Sequence, residues 1–133
     1  MDRPRAIVLH PRDASPAPGP PTAGMDRREL MDSPGAWAGW VRTEPSLAGG
    51  WHHHGDRDSY IFIARGTIAI DFGPGGRERV EASAGDFVFN PAGVIHRETS
   101  GPEPVEVFVM RLGTGPLNVN VEGPEPEVPA GRA

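Results

Sequence analysis

The sequence predicts an all-β fold, a two-sheet sandwich or barrel of short strands with almost no helix. Glycine and proline are abundant, 18 and 16 of 133 residues, and the hydrophobic fraction is only 37%, a composition that favours turns over long helices. Short apolar and β-branched runs recur from Ala36 to Val121, each bounded by turn residues, which is the pattern of strands linked by hairpins. The length suits one domain with one core.

Ala6 to Leu9 is a short β-branched run suited to a sheet edge. Pro11 to Gly24 reads as an extended linker, because Pro, Ala, Gly and Ser crowd together without periodicity. Met25 to Asp32 is polar and reads as one helical turn, stopped by Pro34 and Gly35. Residues 1–35 are therefore expected to be an N-terminal edge strand and Pro-rich linker, and residues 36–121 the barrel. Strands are predicted over Trp37 to Arg42, Tyr60 to Arg65, Thr67 to Phe72, Arg77 to Ala82, Asp86 to Asn90, Ile95 to Thr99, Val105 to Leu112 and Leu117 to Val121. Gly73, Pro74, Gly75 and Gly76 form a hairpin loop between two of them. After Val121 the chain is mainly Gly, Pro and Glu, so residues 122–133 are expected to be a flexible tail. No internal repeat is present.

Composition excludes several function classes. The net charge is −5, which offers no basic face to a nucleic acid or an anionic lipid surface. No apolar run approaches the ~20 residues needed to cross a bilayer, and the first residues lack the apolar stretch of a secretion signal, so the expected location is the cytoplasm. There is no cysteine and no lysine, which removes disulfides, thiolate chemistry, sulfur-ligated metals and Schiff bases.

The chemistry rests on histidine. His52, His53 and His54 are consecutive. In a strand, alternation puts His52 and His54 on one side, about 7 Å apart at the Cα level and within reach of one metal, while His53 points away. A solvated histidine loop is the ordinary alternative. Downstream, Gly85 begins a strand, Pro91 and Gly93 form a turn, and His96 opens the returning strand, so a hairpin delivers a third imidazole to a fixed place.

The spacing from Gly85 to His96, Gly, five residues, Pro, one residue, Gly, two residues, His, resembles the second motif of the cupin family. His52, His54, position 59 and Gly66 resemble the first. The resemblance is close from Trp51 to Ser100 and looser from Trp37 to Val121. It implies a cupin-type jelly-roll β-barrel, or double-stranded β-helix, with one divalent metal ion inside, and a homodimer. The metal would be Fe, Mn, Zn, Ni, Cu or Co, held by His52, His54 and His96. Three departures matter. The family's glutamate ligand position is Ser59, its glycine before the first histidine is Ser46, and the asparagine often found after the last histidine is Ser100. A serine hydroxyl does not replace a carboxylate ligand, so the expected site has three neutral imidazoles with open positions for water or substrate, unless Asp56 or Asp58 swings in.

By alternation Glu98 shares a face with His96 and is the candidate catalytic carboxylate, orienting a ligand histidine or shuttling a proton; a salt bridge with an arginine explains it equally well. Ser59, Ile61 and Ile63 share the inward parity and are candidate substrate-binding residues. Phe89, with Phe87 and Trp51, either lines the pocket mouth or is plain core. Tyr60 and Phe62 face outward, under the N-terminal strand or at a dimer seam. Arg65 and Arg97 either steer an anion or sit in solvent. Two functions of different class follow from the resemblance. One is a metal-dependent enzyme on a small-molecule substrate, of dioxygenase, isomerase, cyclase or decarboxylase type. The other is a non-catalytic ligand-binding or sensing module.

Overall fold

The structure, a computed structural model, describes residues 3–127. Two antiparallel sheets face one another. The strands are β1 (Ser15–Pro16), β2 (Met25–Ser33), β3 (Ala36–Thr43), β4 (His52–His53), β5 (Asp58–Arg65) and β6 (Thr67–Phe72), followed by β7 (Glu78–Ser83), β8 (Phe87–Asn90), β9 (His96–Ser100), β10 (Val105–Leu112) and β11 (Val119–Asn120). One sheet has the order β1-β2-β3-β10-β5-β8 and the other β11-β4-β9-β6-β7. A 3₁₀ turn at Pro11–Asp13 is the only helical element among the described residues. Among the described residues no helix is long and apolar enough to cross a membrane.

Alternation along each strand decides what is buried. From the first sheet Trp37, Ile61, Ile63, Val105, Val107 and Val109 turn inward, and from the second Ile68, Ile70 and Ala82 meet them. Each large aliphatic side chain so buried contributes about 1.5–3 kcal/mol relative to exposure. Gly66, at φ +81° with its Cα against the Pro104 carbonyl, makes the turn between β5 and β6, a backbone region glycine enters without steric cost.

Three expectations change at the N-terminus. Met25 to Asp32 is not a helical turn but most of the nine-residue strand β2, paired along β3 through a bulge between Glu29 and Met31. Its polarity hides the strand, because Glu29, which meets Trp37, is charged, Arg27 on the same parity is exposed, and the usual apolar alternation is missing. Ala6 to Leu9 pairs with no strand among the described residues, and Ile7 and Val8 are exposed; the edge is supplied instead by β1, from the segment read as linker, paired with Arg28 and Glu29. Strands of the first sheet thus precede residue 36. At the other end, residues 122–127 run back along the hairpin loop, where the Gly75 amide donates to the Glu125 carbonyl at 2.8 Å and Arg77 pairs with Glu127 at 2.6 Å. The rest of the expected tail, 128–133, lies outside the described residues.

Candidate metal centre

Three short stretches bring the histidines together. His52 pairs directly across from His96 in the β4–β9 ladder, and His54 follows β4 on the same parity. One ring nitrogen from each of His52, His54 and His96 lies within 4.8 Å of the others, and the ring centroids are 4.3–5.1 Å apart. His96 is fully buried and His54 nearly so. His53 turns away, as alternation requires, and its Nδ1 accepts from the Gly55 amide at 3.0 Å.

The second nitrogen of each ring is already committed. Nδ1 of His52 lies 2.9 Å from the Gly50 carbonyl, Nδ1 of His54 2.8 Å from that of Leu117, and Nδ1 of His96 2.9 Å from that of Val94. A carbonyl only accepts, so each Nδ1 carries the proton and each Nε2 presents a lone pair. This is how metal-ligating histidines are held. Nε2 of His96 is buried without a hydrogen-bond partner. Three neighbouring lone pairs, that of His96 buried and unpartnered, suit a divalent cation, so the residues fit the metal that the sequence implies.

Burial lowers the proton affinity of His52 and takes His54 down to about 3, where the charge of Arg111 pushes the same way. Burial also opposes protonation of His96, but its neighbour Glu98 outweighs it and the net shift is upward. The Oε1 atom of Glu98 lies 3.6 Å from His96 Nε2, longer than a direct hydrogen bond. Burial works against a charged Glu98, yet His96, His52 and His54 together hold its carboxyl down at about 2. Glu98 therefore faces the site as an anion. The arginine pair weighed against this role does not exist among the described residues, since Arg97 goes instead to Asp71 at 3.3 Å and stacks over Trp51 at 4.6 Å.

The three serine departures become intelligible. Ser46 adopts φ +53°, the left-handed conformation that explains a glycine at this place in relatives. Ser100 is buried, donates to the Glu44 carbonyl at 2.6 Å and accepts from the Leu47 amide at 2.9 Å, tying down the loop before the histidines. Ser59 is fully buried and faces inward. Neither aspartate replaces its missing carboxylate: Asp56 is exposed, and Asp58 accepts from the Ala92 amide at 2.9 Å, bracing the turn before His96.

Ile61 and Ile63 point inward as expected and are core residues of the fold. Phe89 does not reach the interior. It pairs with Tyr60, stacks on it at 5.1 Å, and is 53% exposed on the outer face. Phe87 is more exposed still. Trp51 does not line the mouth either, because its ring lies under Arg97 and against Gly76. The inward positions of β8 are Val88 and Asn90. Sequence reasoning missed Asn90 and Arg111. Alternation along Val105, Val107 and Val109 points to Arg111 as the next inward side chain.

The profile of the ChrR cupin-like domain matches residues 4–116. The chain belongs to this cupin family. Solved structures with the same fold include a conserved protein with a double-stranded β-helix domain from Klebsiella pneumoniae subsp. pneumoniae, 14% identical over 89% of this chain and 99% of that one, TM-score 0.70. A polyketide cyclase from Streptomyces resistomycificus is 20% identical over 89% of this chain and 87% of that one, TM-score 0.71. An oxalate decarboxylase from Lactobacillus farciminis is 16% identical, TM-score 0.69; the match covers 84% of this chain but 35% of that one. No curated protein matches this cupin chain.

Proposed function

We propose that this cupin binds one divalent metal ion through Nε2 of His52, His54 and His96 and acts as a metal-dependent enzyme on a small organic molecule. The observation that carries the reading is the commitment of all three Nδ1 atoms to backbone carbonyls, which leaves three lone pairs converging on one point. Such an ion, held by three neutral imidazoles with positions left open, acts as a Lewis acid toward an oxygen-bearing ligand. Glu98 supplies a fixed negative charge beside it, able to accept a hydrogen bond at Oε1 from a ligand of the ion. The carbonyls of Gly50, Leu117 and Val94 hold the imidazoles in one tautomer. Two fold relatives are enzymes by their printed names, a cyclase and a decarboxylase, and this supports a catalytic reading.

The non-catalytic binding module remains the competing reading, and the serine at position 59 favours it, because one charged ligand fewer weakens the hold on the metal. Elemental analysis of untagged protein purified without added metal separates the cases, repeated on His52→Ala and His96→Ala. About one equivalent of metal, lost in both variants, supports the metal centre. A redox-active metal directs the search for activity to oxygen chemistry, and zinc to isomerase or lyase chemistry. Absence of metal after reconstitution sinks the enzyme reading.

We also propose a homodimer formed through the outer face of the larger sheet. Tyr60, Phe62, Phe87, Phe108, Met110 and Leu112 line a shallow groove of about 570 Å³ there. An apolar patch of this kind is rare on a free surface, and a flat sheet face can cover its own copy about a two-fold axis.

A further inference from the structure

A row of side chains crosses the inner face of the larger sheet opposite the histidines. Arg111 of β10 pairs with Trp37 of β3 on one side and with Ser59 of β5 on the other, and Ser59 pairs with Asn90 of β8. Cross-strand partners share a face, so Trp37, Arg111, Ser59 and Asn90 all project inward in one line. Ser59, Asn90 and Trp37 are buried.

The row and the histidines occupy the same end of the barrel. Ser59 lies a short turn beyond His54, Asn90 lies one turn before His96, and the loop after Arg111 carries the Leu117 carbonyl that holds His54. The charge of Arg111 is felt at His52, His54, His96 and Glu98.

Three of the four residues have an unmet hydrogen-bonding atom. Arg111 Nε, Ser59 Oγ and Asn90 Nδ2 are buried without a partner among the described residues. Two of these atoms can only donate, and the hydroxyl can. Arg111 makes no ion pair with a described carboxylate. Its guanidinium lies 5.1 Å over the Trp37 ring, and Trp37 is itself fixed by donating from Nε1 to Glu29 at 2.8 Å, so the fork is oriented in advance. Further positive charge gathers here in a chain of net charge −5. Burial lowers Arg111 to about 10, against the opposing charge of Glu98 and together with that of Arg27 and Arg57; Arg57 also buries an unpartnered guanidinium nitrogen, so three guanidinium groups face the single carboxylate of Glu98. Unpaired buried donors and clustered cations are costly unless an acceptor-rich group completes them.

We propose that Arg111, Ser59 and Asn90 form a carboxylate subsite, so that the small molecule held at the three-histidine centre is an organic anion whose carboxylate is gripped across the barrel from the metal. This rests on the preceding reading that a small molecule occupies that centre. The arrangement selects a compact acid with a second oxygen function a few bonds from its carboxylate, the carboxylate taking the guanidinium fork and the two neutral donors. Arg111 is then a specificity residue, and Ser59, where relatives place a metal ligand, serves the substrate instead.

The test is calorimetric titration of zinc-reconstituted and metal-free protein with malonate and with its uncharged counterpart malonamide. Malonate should bind at least about tenfold more tightly than malonamide to the zinc form, and Arg111→Gln should remove that preference without changing the zinc stoichiometry. Ser59→Ala and Asn90→Ala should each weaken malonate about two- to tenfold. Equal binding of malonate and malonamide, or undiminished malonate binding in Arg111→Gln, overturns the subsite. Because zinc itself prefers malonate to malonamide, the comparison on the metal-free wild-type protein decides the matter where Arg111→Gln does not fold, and Arg111→Lys, which keeps the charge but loses the fork, should show an intermediate preference. If the protein holds no zinc, the metal reading fails separately, and a malonate preference in the metal-free form still supports the subsite while its absence overturns it.

Discussion

At the residue scale, the three imidazoles differ in how they meet protons. His52 and His54 are kept neutral by burial, His54 down to about 3, whereas Glu98 raises His96 above its usual value of 6.5. As pH falls, His96 is therefore the first ligand to be protonated, and a metal must compete with that single proton. Metal affinity should fall by about tenfold per pH unit below the pKa of His96, a slope of one proton and not three; a slope near three in a zinc competition series would contradict the assigned burial. Glu98→Gln should keep about one equivalent of metal but weaken its binding by roughly 10–100-fold, the usual cost of losing a carboxylate that supports a metal site. In the metal-free protein, His54 has a depressed proton affinity, so the unfolded chain binds the extra proton between about pH 6.5 and pH 3. Glu98, also depressed, contributes stability above its ordinary value of 4.5 that is lost as pH falls toward 2. His96 opposes both, because its stabilisation is present at low pH and fades as pH rises through its folded pKa. The thermal midpoint of the metal-free protein should drop as pH is lowered from 6.5 to 4, and a flat profile would contradict the depressed His54.

At the element scale, two glycines and one strand carry the geometry. Gly66→Ala forces a side chain onto a left-handed residue against the Pro104 carbonyl and should cost about 1–3 kcal/mol, read as a lower denaturation midpoint with unchanged slope. Gly39 faces the Trp37 ring so closely that an added methyl would collide with it. Since Trp37 supports Arg111, Gly39→Ala should disturb the inner row as well as stability. Strand β2 covers one whole side of β3 and brings Glu29 to the indole nitrogen of Trp37. Deleting residues 1–13 should leave the fold intact, whereas deleting 1–34 removes β1 and β2 and should lower the thermal midpoint by many degrees; equal midpoints for the two truncations would show that the barrel begins at residue 36.

At the scale of the whole molecule, the two faces of the larger sheet are used differently. The inner face carries the core and, at one end, the polar row; the outer face presents Tyr60, Phe87, Phe89, Phe108 and Met110 to the surface. Light scattering should give a mass about twice the 14.2 kDa of the chain, and Phe108→Glu should shift it to the monomer without loss of metal. A monomeric wild-type protein would leave the outer face without a second copy to cover it. The outer groove lies on the far side of the larger sheet, whereas a depression of about 410 Å³ beside Phe72, Pro74 and Glu125 is lined also by Val94 and Ile95, next to His96 in the chain.

The sequence by itself determined the elements whose signal is local. The two-residue alternation of His52 and His54, the Gly85 to His96 turn, the inward run Ser59, Ile61 and Ile63, and Glu98 beside His96 follow from strand parity and turn chemistry alone. The tertiary structure decided what parity leaves open. Phe87, Val88 and Phe89 are apolar on both faces of β8, so only the register against Tyr60 turned Phe89 outward. Strand β2 is legible only from its partner, because Glu29 is satisfied at long range by Trp37 and no local apolar alternation marks the strand. The surroundings of Ser59 likewise depended on Arg111 and Asn90, residues far away in the chain that become its neighbours only when three strands pair, and no local pattern records such a pairing.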